Sequence, residues 1–143
     1  MGKLDGHCLC GQVTYTVSGE EPIMTAICHC TECQRQTGTA YSIVVAVDRE
    51  EFAVEGASLS TFQTIGTDHG LPVDRQFCSN CGSPIVSLLE LMPDFAFIKA
   101  GTLNDASWLE PEAEAWCESA LPWVGLDTSR EDRGFFPRGL DTD

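Results

Sequence analysis

The chain has 143 residues and 43% hydrophobic composition, enough to bury one compact core and too little for two comfortable domains. Eight basic residues stand against 22 acidic ones, a formal net charge of −14. That balance argues against nucleic acid or an anionic membrane as a partner, because both attract a basic patch.

The acidity reads as a solubility feature. An anionic substrate would need a local positive spot in this field, and Arg35 and Arg75 stand out because each lies close to a cysteine group. The N-terminal MGKLDGHCLCG lacks the apolar run of a secretory signal, so a reducing cytoplasm is expected. Apolar runs such as Ile43 to Val47 fall far short of the ~18 residues of a membrane span, so no membrane partner is expected.

In chain order, "HCLCGQVTY" places Cys8 and Cys10 before an alternating strand over Gln12 to Val17. "CHCTECQRQTG" follows, with Cys28, Cys30 and Cys33 packed around His29. Thr31 to Thr37 is expected to form one or two helical turns with Thr31 as N-cap, which would aim backbone N–H groups near the thiols and lower their pKa. Further strands are expected at Tyr41–Val47, Leu59–Ile65, Asp74–Cys78, Pro84–Glu90 and Phe95–Gly101. "FCSNCGSP" holds Cys78 and Cys81, with Gly82 permitting a turn of positive φ. Cys117 lies in a strand-like stretch and reads as a core residue. Residues 1–125 are expected to form the β domain and residues 126–143 a polar, loosely attached tail. Short strands punctuated by Gly, Pro, Asp and Asn predict a mainly β, sandwich-like or barrel-like protein with few short helices.

The eight cysteines are the dominant signal. An even count in a small chain suits a disulfide framework, but tight spacing without a signal peptide favours metal or catalysis. Closely spaced pairs bring two thiolates to one side of a turn, at the right scale for Zn–S bonds of about 2.3 Å. Cys8 and Cys10 with Cys78 and Cys81 would close a four-thiolate structural site. Spacing alone does not make that pairing unique. Cys28, Cys30 and Cys33 could complete a shell with Cys117, His29, His7 or His69. Without one of them, three protein ligands and an open position match a catalytic zinc.

The three groups, HCLCGQV, CHCTECQRQTG and FCSNCG, in this order and at these intervals, resemble the glutathione-dependent formaldehyde-activating enzyme family, to which centromere protein V domains also belong. The resemblance spans roughly Leu4 to Trp123. It implies an antiparallel beta-tent fold, a structural zinc on Cys8, Cys10, Cys78 and Cys81, and a catalytic zinc on Cys28, Cys30 and Cys33, with Cys117 outside the pattern. The implied activity is that of a carbon–sulfur lyase joining glutathione, as co-substrate, to formaldehyde. Gln34 and Arg35 would be placed to meet the tripeptide's carboxylates. Two other readings are a non-catalytic, zinc-stabilised glutathione carrier or protein-binding module, and a thiol redox protein of the methionine sulfoxide reductase kind with Cys117 as the reactive thiol.

Overall fold

The structure is a computed structural model and describes residues 3–139. Its strands are β1 Gly6–His7, β2 Thr14–Val17, β3 Met24–Cys28, β4 Ser42–Asp48, β5 Phe52–Glu55, β6 Leu59–Ile65, β7 Pro72–Cys78, β8 Pro84–Leu89, β9 Phe95–Lys99, β10 Ala113–Ala115 and β11 Gly134–Phe135. The single α-helix among the described residues, α1, covers Thr31–Thr37, and short 3-10 turns follow β4, β9 and β10. The chain is mainly β, as expected. It divides into two compact units: the residues up to Ile23 with Val45–Trp108, and Met24–Val44 with Leu109 onward.

In the first unit, β1, β2 and β5 form an antiparallel sheet in that order. β2 alternates as its sequence predicts, with Tyr15 and Val17 buried and Thr14 and Thr16 exposed. β6, β7, β8 and β9 form an antiparallel meander. Pro72 opens β7, the position where a strand tolerates a residue without an N–H. Val13, Ile85, Val86 and Ile98 are all fully buried. Each such side chain is worth roughly 1.5–3 kcal/mol relative to exposure.

The second unit is built differently. β10 pairs in parallel with β3 on one side and with β11 on the other. Parallel neighbours need long crossovers rather than hairpins, and these three strands come from distant parts of the sequence. The antiparallel arrangement that the family resemblance implies holds in the first unit, and these parallel pairs depart from it.

The stretch expected to be a loose tail is attached through its described residues. β11 extends the parallel sheet, Trp116 N–H donates to Arg138 O at 2.9 Å, and Cys117 N–H donates to Phe136 O at 3.0 Å. Its polar letters concealed Arg133, whose guanidinium meets buried Glu114. The last residues of the expected tail, 140–143, lie outside the described residues.

Candidate metal centres

Two groups of thiols converge, each within one unit. In the first unit, the Sγ atoms of Cys8, Cys10, Cys78 and Cys81 all lie within 4.8 Å of one another. Each pair sits on a tight turn. Cys8 N–H donates to Val13 O, Gly11 N–H to Cys8 O, Cys78 N–H to Ser83 O and Gly82 N–H to Cys78 O. Gly11 and Gly82 close these turns at φ of 82° and 83°, a region that side chains with a Cβ avoid. Cys8 to Cys10 is 3.6 Å and Cys10 to Cys78 is 3.7 Å, sulfur to sulfur. A tetrahedral zinc with bonds of about 2.3 Å sets neighbouring sulfurs about 3.8 Å apart. The four thiols therefore fit that ion.

The surroundings favour the thiolate at Cys78 and Cys81 but not at Cys10, where bonds from Asn80 and Gln12 are outweighed by burial and the Cys8 and Cys78 thiols, which push it upward. The Ser83 hydroxyl and backbone N–H pull Cys81 down to about 5, and the Ser58 hydroxyl lowers Cys78. Val13 N–H also donates to Cys8 Sγ at 3.3 Å.

The second unit gathers Cys28, Cys30 and Cys33, whose Sγ atoms again lie within 4.8 Å of one another. β3 ends at Cys28 and α1 begins directly after Cys30. Cys30, rather than Thr31, is the N-cap: its Sγ accepts the Cys33 N–H at 3.1 Å. A sulfur serves here because it sits one residue before the first helical turn, where the orphan N–H groups point. Gly38 ends the helix at φ 71°.

The three thiols disfavour ionisation in one another's company. The Cys30 and Cys33 thiols, followed by burial, push Cys28 upward. The Cys28 thiol favours the Cys30 thiolate, but Cys33 and burial outweigh it and push Cys30 up to about 11. Three thiolates crowded together call for a cation, and a divalent, thiophilic ion suits the donor set. Among the described residues the group closes at three, so Cys117, His29, His7 and His69 do not complete it.

Each of those residues has another partner. His29 is fully buried and its Nε2 lies 2.7 Å from Glu114 Oε1. Cys117 Sγ donates to Glu114 O at 3.4 Å. His7 Nδ1 lies 2.6 Å from Cys8 O, and His69 Nδ1 accepts the Leu71 N–H at 3.1 Å. Among the described residues every cysteine is free, so no disulfide framework exists.

Gln34 and Arg35, both on α1, separate in role. Gln34 Nε2 donates to His29 O at 2.8 Å and to Ser119 O at 3.1 Å, so its amide hydrogens tie the cysteine loop to the turn after β10. Arg35 is exposed in the last turn of α1. Arg75 is buried on β7, with its Nε donating to Thr64 Oγ1 at 3.0 Å.

Sequence reasoning did not single out Glu114 and Arg133. Glu114 Oε2 accepts from Arg133 Nη1 at 2.9 Å, and Arg133 Nε donates to Pro111 O at 3.0 Å. Burial raises the Glu114 carboxyl, but the bonds from His29 and Arg133 outweigh it and leave the group below its ordinary value. A glutamate between two alanines in a buried strand was the available signal.

Comparison with known proteins bears on these groups. The family model described as "Glutathione-dependent formaldehyde-activating enzyme" matches residues 3–119. A protein of Aspergillus flavus named "Putative glutathione-dependent formaldehyde-activating enzyme" is 26% identical over 140 residues, covering 94% of this chain and 66% of its own length. A Talaromyces marneffei protein of the same name is 25% identical over 143 residues, covering 98% of this chain and 69% of its own. The chain thus spans about two thirds of the length of these relatives. A crystal structure of a Rhodobacter sphaeroides protein aligns with a TM-score of 0.55 at 21% identity, over 75% of this chain and 91% of that one. That likeness concerns the fold alone.

Proposed function

We propose, for a chain that belongs to the glutathione-dependent formaldehyde-activating enzyme family, that the three-cysteine group binds zinc and is the site where a thiol such as glutathione meets a small carbonyl such as formaldehyde. The observation that carries this reading is the group of three thiols that closes at three among the described residues. Zinc held by Cys28, Cys30 and Cys33 would supply a Lewis acid that favours the deprotonated form of an incoming thiol. The four-cysteine group would hold a second, structural zinc.

The chain's own residues do the positioning. α1 fixes Cys33 relative to Cys30 through the N-cap bond, and Gln34 fastens the loop to Ser119. Arg35 offers an exposed cation for a glutathione carboxylate. The thiolate sulfur attacks the carbonyl carbon, a C–S bond forms, and the C=O π electrons move to oxygen, which takes up a proton equivalent to the one the thiol released. The product is S-hydroxymethylglutathione, and the reverse step breaks the same bond, as in a carbon–sulfur lyase. No helix in the described residues is long and apolar enough to cross a membrane.

A second reading has one observation in its favour. His29, which adjoins both Cys28 and Cys30, is fully buried with its Nε2 against Glu114, and so is closed to a substrate in this arrangement. The protein would then carry a thiol, or recruit a partner, without catalysis. Measuring adduct formation by NMR exchange separates the two. Acceleration over the spontaneous reaction, lost in Cys30→Ser, supports the enzyme. Glutathione binding with no acceleration supports the carrier.

A further inference from the structure

We propose that Glu114 is a positioning residue for the three-cysteine loop, acting through His29 and held in turn by Arg133. The inference rests on the reading that Cys28, Cys30 and Cys33 hold a metal.

His29 sits between Cys28 and Cys30 in the chain, so a contact that fixes its side chain also anchors the backbone that carries both thiols. That ring is fully buried and its Nε2 is 2.7 Å from Glu114 Oε1. Its Nδ1 is buried with no hydrogen-bond partner among the described residues. Tyr41 packs edge-on at 5.4 Å between ring centroids. Among the described residues, Glu114 therefore makes the one polar side-chain contact that sets the ring's orientation. The main chain reinforces it. Ala115 is the register partner of Cys28, and His29 N–H donates to Ala115 O at 3.0 Å.

Glu114 is itself held. Its side chain is 7% exposed and its second oxygen takes Arg133 Nη1 at 2.9 Å, from the residue just before β11. A run from the C-terminal segment through Arg133, Glu114 and His29 thus reaches the loop that presents the thiols. Partners behind a ligand-bearing element commonly change metal affinity by about 10–100-fold when lost.

The test is zinc release from the full-length, zinc-loaded protein to a chromophoric chelator, resolved into its two phases. Glu114→Ala is expected to speed release of one zinc about tenfold or more, and to leave the other at the wild-type rate. Glu114→Gln keeps an oxygen that accepts the Nε2 hydrogen, and is expected to restore part of the loss. Glu110→Gln, at an exposed partner of Arg133, serves as a control with no expected change. A merely structural role would speed both phases together. Two wild-type phases in Glu114→Ala, or a uniform rise, would overturn the proposal. If Glu114→Ala does not fold, Glu114→Gln and Arg133→Met decide by the same criterion. If the wild-type protein holds only one zinc both with and without glutathione, the metal reading itself fails. The positioning role is then judged by iodoacetamide alkylation of Cys28, Cys30 and Cys33, mapped by mass spectrometry: faster alkylation in Glu114→Ala supports it, and unchanged rates refute it.

Discussion

Cys30 caps the helix that carries Cys33: the Cys33 backbone N–H donates to Cys30 Sγ at 3.1 Å. One side chain thus serves as helix cap and as candidate ligand. Serine is a strong N-cap, and a cap is worth about 1 kcal/mol. Cys30→Ser is therefore expected to keep α1 and to change stability by no more than about 1 kcal/mol. It should lose one equivalent of zinc and the catalytic rate. Circular dichroism, metal analysis and a turnover assay on one preparation check all three. Wild-type turnover in this variant would remove Cys30 from the site.

The four-cysteine group makes the opposite prediction. Cys8 and Cys78 are fully buried, and with Cys10 and Cys81 they join the start of the chain to the end of β7. Loss of that metal would leave buried thiolates without a counter-charge. Cys78→Ser is expected to lose about 4 kcal/mol or more, measured by denaturant unfolding. A strong chelator should reproduce the loss in the wild-type protein. Unfolding unaffected by either treatment would show that this group is not a folding centre.

Tyr15 supplies a pH prediction. Burial, against a favourable bond with Thr102 Oγ1 at 2.7 Å, pushes its phenol up to about 12 from an ordinary 10. The folded value lies above the unfolded one, so its contribution is full below pH 10 and is lost as pH rises towards 12. Tyr15→Phe should cost about 1 kcal/mol at pH 7. The gap between wild type and variant should then narrow above pH 10. A constant gap up to pH 11.5 or so would place the phenol's titration elsewhere.

Much of this arrangement was legible in the letters. The expected strand Leu59–Ile65 coincides with β6, and the expected helix Thr31–Thr37 coincides with α1, because strand-favouring residues between turn signals and a polar helix start are local signals, although the cap itself falls on Cys30. Grouping Cys8 and Cys10 with Cys78 and Cys81 was also legible, since two tight pairs close one shell. The His29–Glu114 contact was not. The two residues are 85 apart in sequence, and nothing local in "AEAWCES" says which strand lies beside it. Arg133 was hidden by a polar context that reads as a tail, although its guanidinium is spent on a buried carboxylate. Gln34 illustrates the same limit: its place beside Cys33 was visible, but its two backbone acceptors were not.

The most direct measurement is zinc per chain on reduced protein, repeated after adding glutathione. The account predicts two equivalents, or one rising to two with glutathione, with one of them lost in Cys30→Ser. One equivalent throughout, unchanged by Cys30→Ser and lost in Cys78→Ser, would contradict it and leave only the four-cysteine centre.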